Sequence, residues 1–258
     1  MKTIIAIIAT AGALLTGSVA DAANEGPTIV LVHGAFADAS SWNGVIRILE
    51  KEGYPVVAAA NPLRGVKADA AYVSDIVTSI DSPVVLVGHS YGGMVISGAA
   101  NGHSKVKSLV FVSAFAPESG ETGLSLTGKF PGSTLGATLA KPVPLPSGGS
   151  DLYIQQDKFP EQFAADVPRG EARLMAATQR PIAEAALKEP AGEPAWKKLE
   201  SYFIYGTLDK NIPPKAQAFM AERAKSRDTV VIEGASHVVM VSHPAEVAKI
   251  IMKAAANR

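Results

Sequence analysis

The apolar positions of the chain fall into two alternating rhythms. Pro27 to Val32 is a short run of apolar and β-branched residues, as are Pro55 to Ala60, Pro83 to Val87, Val106 to Ser113, Ser201 to Tyr205 and Thr229 to Ile232. Runs of this length with Val and Ile predict strands buried on both faces. Between them the spacing switches to that of a helix. Trp42, Val45, Ile46 and Leu49 lie at i, i+3, i+4 and i+7, with Ser40 or Ser41 placed to cap and Gly53 to stop the turn. Val73, Ile76, Val77 and Ile80 repeat that face, Met94 to Ala100 can form a small-residue helix, and Val247, Ile250 and Ile251 mark a closing helix from Pro244 to about Ala256. Strands alternating with helices predict an α/β domain, a mostly parallel central sheet with helices on both faces.

The rhythm breaks once. From about 118 to 195 no clean strand is predicted. Gly, Pro and Thr crowd Gly120 to Gly149, and Leu152 to Phe163 and Glu171 to Leu187 read as short helices. So long a connection in one domain points to an inserted cap. Its Leu124, Leu126, Tyr153, Phe159, Phe163 and Met175 are candidates either to line a pocket or to pack the cap down.

The first residues follow a different logic. Met1-Lys2, an apolar stretch from Ile4 to Leu15 and the small-x-small Ala20-Asp21-Ala22 predict a signal peptide over 1–22. The expected product is a single domain over 23–258, periplasmic or secreted, with no stable membrane association. Lys plus Arg and Asp plus Glu both number 24, without a basic stripe, so nucleic acid is not an expected partner. The chain has no cysteine, which removes disulfides, thiolate metal sites and a Cys nucleophile together. No metal or cofactor is called for.

Candidate chemistry sits at the strand ends. Gly88-His89-Ser90-Tyr91-Gly92 follows an apolar strand and opens a small-residue helix. Such G-x-S-x-G turns lift the serine hydroxyl above the helix N-terminus, and the Tyr91 N–H then faces a developing oxyanion. A serine needs a base, and the base needs an orienting acid. In an open parallel sheet these belong beyond the carboxyl ends of the strands. His237, after the last strand, is the candidate base, with His243 as rival; His103 lies in a polar turn and reads as solvated. Asp209, after the strand ending at Tyr205, is the candidate acid, with Glu118 as competitor and an Asx turn as the plain alternative. His33-Gly34-Ala35-Phe36 follows the first strand; the Ala35 N–H is the second candidate oxyanion donor. Gly34, Phe36 and His89 are the candidate substrate-binding residues.

Val30-Leu31-Val32-His33-Gly34-Ala35 with Trp42, then Gly88 to Gly93, Gly206-Thr207-Leu208-Asp209 and Ser236-His237, resemble the α/β-hydrolase fold serine esterases. The resemblance extends to bacterial esterases and to the plant methylesterase and hydroxynitrile lyase branch. It implies the α/β-hydrolase fold and a Ser90-His237-Asp209 triad. It also implies hydrolysis of small-molecule esters of small to medium, apolar character. Lyases of that branch carry a Thr after the oxyanion His and a Lys after the catalytic His; here Gly34 and Val238 stand there. Other acyl substrates (lactone, thioester, amide, or peracid formation) and a non-catalytic ligand-binding role on the same scaffold remain the alternatives. Chain-length preference and oligomeric state have no signature in the sequence.

Overall fold

The structure is a computed structural model that describes residues 26–146 and 148–256. The expected signal peptide lies outside the described residues. Chain order begins β1 (Thr28–Val32), a 3-10 turn at Ala39–Trp42, α1 (Asn43–Lys51), β2 (Val56–Ala59), α2 (Val66–Thr78), β3 (Val84–His89), α3 (Gly92–Ala99) and β4 (Val106–Val112). The stretch after it holds α4 (Gly123–Lys129), α5 (Leu135–Thr138), β5 (Val143–Pro144), β6 (Ser150–Leu152), α6 (Phe159–Phe163), α7 (Arg169–Thr178), β7 (Ile182–Ala183) and α8 (Glu184–Lys188). The strand–helix rhythm then returns with β8 (Glu200–Gly206), α9 (Pro214–Arg223), β9 (Asp228–Ile232), α10 (Val239–Ser242) and α11 (Pro244–Ala256).

Six strands form one parallel sheet in the order β2-β1-β3-β4-β8-β9. The chain first runs outward from β1 to β2, then crosses back to β3, so the direction of winding reverses between β1 and β3. Right-handed crossovers then put α1 and α2 on opposite faces. Accordingly α1 packs with α11, and α2 packs with α3. Both faces are covered, which is why β1, β3 and most of β4 carry apolar side chains with no alternation and are buried throughout. The reversal leaves a crevice beyond the carboxyl ends of β1 and β3, the place where open α/β sheets bind ligands. Register fixes what meets there: Val32 pairs with Gly88, so the His33–Ala35 loop leaves the sheet beside the turn at Ser90.

The helix entry near Ser40 differs in detail from expectation. Asp38 is the cap, its carboxylate accepting from Ser40 N at 2.7 Å, and it opens a 3-10 turn that runs into α1.

The segment between β4 and β8 corrects the sequence expectation more. Leu152 ends a strand rather than starting a helix, and helix covers only Phe159–Phe163 of that stretch. The predicted Glu171–Leu187 helix is two helices, interrupted where Pro181 precedes β7. β5, β6 and β7 form a small antiparallel sheet, and α4 and α5 occupy the turn-rich tract. Polar side chains organise this segment. Gln179 accepts from Ile154 N and donates to the Ile154 and Ala176 carbonyls, each at 2.9 Å. Periodicity in apolar residues does not report such ties.

Among the described residues no helix is long and apolar enough to cross a membrane.

One close approach sets the sheet–helix geometry. A Cβ on Gly92, the first residue of α3, would stand 2.5 Å from the Val32 carbonyl oxygen. Backbone on both sides leaves no flexible group to yield. Gly92→Ala is therefore expected to lower unfolding free energy by about 1–3 kcal/mol, read as a reduced urea midpoint at unchanged slope.

Candidate active site

Ser90 occupies the turn from β3 to α3 with a φ of 53°, the left-handed region that side chains other than glycine rarely adopt. The turn is pinned by backbone bonds. Ser90 N donates to Val112 O at 3.2 Å, and Ser90 O accepts from Gly93 N at 3.0 Å and Phe115 N at 3.1 Å. Gly34 packs directly against it: a Cβ there would lie 2.6 Å from Ser90 Cβ and 2.7 Å from His89 O.

The loops after β8 and β9 meet at a buried side-chain pair. His237 Nδ1 lies 2.7 Å from Asp209 Oδ2, with both side chains buried. The same carboxylate oxygen accepts from Gln217 Nε2 at 2.8 Å. The other oxygen accepts from Asn211 N at 2.8 Å and Ile212 N at 3.0 Å. Four donors face Asp209, the set an ionised carboxylate takes. Its acceptor character places the His237 proton on Nδ1 and leaves Nε2 bare. The Asx turn and the histidine contact, alternatives on sequence grounds, are both realised, one on each oxygen. Leu208 N bonds Ala235 O at 3.0 Å and ties the two loops together.

Ser90 and His237 line the same cavity, of about 150 Å³. Ala35, Phe36, Tyr91 and Phe115 form part of its wall on the sheet side, and Leu124, Leu135 and Phe163 on the side of the intervening segment. The main-chain N–H groups of Ala35 and Tyr91 donate to no acceptor among the described residues. The polar side chains in the wall are largely committed. The Tyr91 hydroxyl donates to Asp69 Oδ2 at 2.8 Å, Thr127 Oγ1 donates to Gly123 O at 2.8 Å, and Asn211 is bonded to Gln162. Among the described residues no Asp, Glu, Lys or Arg lines it.

The competing residues lie elsewhere. Glu118 pairs with Lys197. His243 precedes α11, 3.4 Å from Asp166 Oδ2. His103 is half-buried and bonds Ser74 Oγ at 2.6 Å, which corrects its reading as a solvated residue. Of the candidate substrate-binding residues only Phe36 lines the cavity. Gly34 is buried below Ser90, and its part is to leave room. His89 also corrects the expectation: it does not line the cavity, is wholly buried, and its Nε2–H donates to His237 O at 3.2 Å. Its ring lies 4.8 Å from the His237 ring and edge-on to Trp42 and Phe163. Of the six cap residues named from sequence, Leu124 and Phe163 reach the cavity, Leu126 and Phe159 are core, Met175 faces a separate small cleft, and Tyr153 is half-buried and lines neither space. Sequence reading missed Gln217 and Asp69. Gln217, one turn into the helix after Pro213-Pro214, had no signal beyond its nearness to Asp209.

Burial governs the charges here. His33, bonded through Nδ1 to Gly34 O at 3.0 Å, is pushed down to about 4 by burial. His89 is held well below the usual histidine range by burial and by its neighbour His237. Burial raises the Asp69 carboxyl above its ordinary value, against the Tyr91 hydroxyl and the Arg64 and Gly65 amides, and burial with the Asp69 charge raises Tyr91. Among the described residues no group of three or more His, Asp or Glu is arranged to hold a metal ion.

A model of the Alpha/beta hydrolase family matches residues 29–250. The chain belongs to this family. Relatives of this α/β hydrolase include the alpha-hydroxynitrile lyase of Arabidopsis thaliana, 26% identical over 237 residues, 83% of this chain and 92% of that one. The carbendazim hydrolyzing esterase of Nocardioides sp. (strain SG-4G) is 34% identical over a shorter stretch of 113 residues, 39% of this chain and 47% of that one. Among solved structures, polyneuridine aldehyde esterase superposes with a TM-score of 0.77 at 22% identity, covering 88% of this chain and 98% of that one. At that identity the likeness speaks for the fold. Esterases and other hydrolases thus stand among the family members this α/β hydrolase is similar to.

The buried histidines of this α/β hydrolase generate a stability expectation. His33 titrates near 4 when folded and near 6.5 when unfolded, so between those values the unfolded chain binds more protons and stability falls as pH falls. Above 6.5 its contribution is fully retained. Over that window His33 alone accounts for about 3 kcal/mol. Urea unfolding at pH 7, 5.5 and 4.5 should show the decline, and His33→Gln should make it shallower while His89 retains its share; a pH-independent midpoint in the parent protein would contradict the assignment.

Proposed function

We propose that the chain is a serine hydrolase that cleaves neutral carboxylic esters of small to medium, apolar character. The observation that carries the reading is the 2.7 Å contact between His237 and Asp209, on loops facing the same cavity as the strained Ser90. Ser90 Oγ attacks the ester carbonyl carbon while His237 Nε2 takes its proton. The tetrahedral oxyanion accepts from the Ala35 and Tyr91 N–H groups, which have no competing acceptor. Asp209 holds the His237 tautomer and stabilises the imidazolium. The imidazolium protonates the departing alkoxide, and the alcohol leaves an acyl-Ser90. Water then attacks the acyl carbon, giving a proton to His237; as the second tetrahedral intermediate collapses, His237 returns that proton to Ser90 Oγ, and the acid leaves.

Hydrolysis is favoured over lyase chemistry by two positions. The site of the lyase Thr is Gly34, where any Cβ would meet Ser90, and the site of the lyase Lys is the wholly buried Val238. The uncharged wall supports neutral esters over charged ones. Export, proposed from residues 1–22, would place the activity outside the cytoplasm.

A fluorophosphonate probe should label the folded protein, and Ser90→Ala should abolish both labelling and turnover of p-nitrophenyl acetate, butyrate and octanoate. A folded, unlabelled parent protein would falsify the nucleophile assignment and bring a ligand-binding role forward. Asp209→Asn should keep labelling slow but present and lower kcat about 10⁴-fold by favouring the wrong tautomer. Charge discrimination is a separate check. The p-nitrophenyl ester of succinic acid, with its free carboxylate, should fall below the butyrate in kcat/KM by more than about a hundredfold, since among the described residues no Lys or Arg lines the cavity to receive it. Comparable rates would contradict the apolar site.

A further inference from the structure

Phe36 stands between two spaces. One is the cavity of about 150 Å³ that contains Ser90 and His237. The other is a cleft of about 20 Å³, which Asp38, Ser40, Met175 and Thr178 help to line. Among the described residues Phe36 alone lines both. It is 3% exposed and edge-on to Phe163, with ring centroids 6.1 Å apart.

The backbone that carries this ring is pinned. Phe36 has a φ of 61°, and its amide donates to Arg180 O at 2.9 Å, so the segment after α7 clamps the residue from behind. Buried and packed on Phe163, the ring forms a wall between the two voids. The cleft beyond it is small. Twenty cubic ångströms of this kind hold about one water. Its polar groups are already satisfied internally: Asp38 Oδ1 accepts from both Ser40 N and Ser40 Oγ, and the Gln179 amide is committed to Ile154 and Ala176. Met175 adds an adaptable apolar surface. Ser40 is exposed, so the cleft reaches the protein surface.

Resting on the ester-hydrolase reading, we infer that Phe36 is the specificity-determining residue that limits substrate length: its ring closes the reactive cavity at one end, and without it the cavity and the Met175 cleft join into a channel for a longer neutral alkyl chain. Truncation of a buried ring leaves space that the surrounding structure only partly fills. Here that space opens into an existing cleft rather than a closed void. The cleft is polar on one side and apolar at Met175, which suits an alkyl chain that ends near solvent.

The test compares kcat/KM within each protein, so that a general change in rate cancels. One series lengthens the acyl group of p-nitrophenyl esters from acetate to octanoate. The other lengthens the alcohol of acetate esters from ethyl to octyl. In Phe36→Ala the long-to-short ratio is expected to rise at least about tenfold over the parent in one of the two series. Phe36→Leu should give a smaller rise, and Phe36→Trp a fall. Should the alanine variant not fold, the leucine and tryptophan variants carry the same comparison with opposite signs. Ratios within twofold of the parent in both series, in folded variants, overturn the inference while the hydrolase reading stands on the parent's turnover. A parent that neither turns over these esters nor takes the fluorophosphonate probe overturns both.

Discussion

The structure depends on a backbone constraint at one residue. Ser90 is held in the left-handed region, a conformation that costs on the order of 1–3 kcal/mol for a residue with a side chain. It persists because neighbours determine it from several directions: Val112 O takes its N–H, Gly93 and Phe115 donate to its carbonyl, and Gly34 presses against its Cβ. These neighbours come from three parts of the chain. The β1 loop, the end of β4 and the start of α3 must all arrive before the turn closes. Gly34 and Gly92 follow from that, since side chains there would occupy the space these backbones share. Ser113, at the end of the adjoining strand, has a φ of 43° and donates its N–H to Ile204 O. Strain is therefore shared across the carboxyl ends of neighbouring central strands and is not confined to Ser90.

Around this turn the charges are sorted by depth. The carboxylate at Asp209 is surrounded by donors, and the histidine beside it is the one imidazole with a carboxylate on Nδ1. His33 and His89 lie as deep but hold only carbonyl partners, and burial keeps both neutral. The contrast is physical: a charged His89, whose ring lies 4.8 Å from that of His237, would repel positive charge there, whereas its neutral ring packs against His237 and bonds its backbone carbonyl. His89 thus belongs beneath His237, where its tautomer is set by the His237 carbonyl. The cavity wall continues the pattern. Tyr91 turns its hydroxyl to Asp69 and presents apolar ring and bare main-chain N–H to the cavity.

The sheet and the positions of Ser90, Asp209 and His237 were legible in the sequence because a parallel sheet announces itself. Its strands are short unbroken apolar runs, and polar residues at their carboxyl ends stand out against them. What was illegible shares a different cause. Strands of two or three residues, such as β5 and β7, are too short for any period to register. Gln179 and Gln162 organise the intervening segment through buried amides, and a glutamine in a sequence carries no mark of burial. His89 misled because its neighbourhood to Ser90 in sequence suggests nearness to substrate. His89 ends β3 and Ser90 is the left-handed turn that follows, so the two side chains leave the backbone in different directions, and register with Val112 places His89 within the sheet layer.

The intervening segment is joined to the site by the same polar language. Gln162 Nε2 donates to Lys210 O at 2.9 Å and to Asn211 Oδ1 at 3.2 Å, and Asn211 Nδ2 returns a bond to Gln162 O. Those are the residues directly after Asp209. Asp166 meets the Ser236 hydroxyl, the residue directly before His237, and Phe163 O accepts from the same hydroxyl at 3.4 Å. Thus α6 and the loop after it touch both polar loops of the site, while Phe163 between these contacts forms cavity wall. Hydrogen bonds in a buried setting are directional and costly to leave unmade. A shift of this segment would break bonds at Asn211 and Ser236 together. The wall that shapes the cavity and the loops that present Asp209 and His237 therefore form one mechanical unit, and the shape of the cavity is coupled to the alignment of the residues that face it.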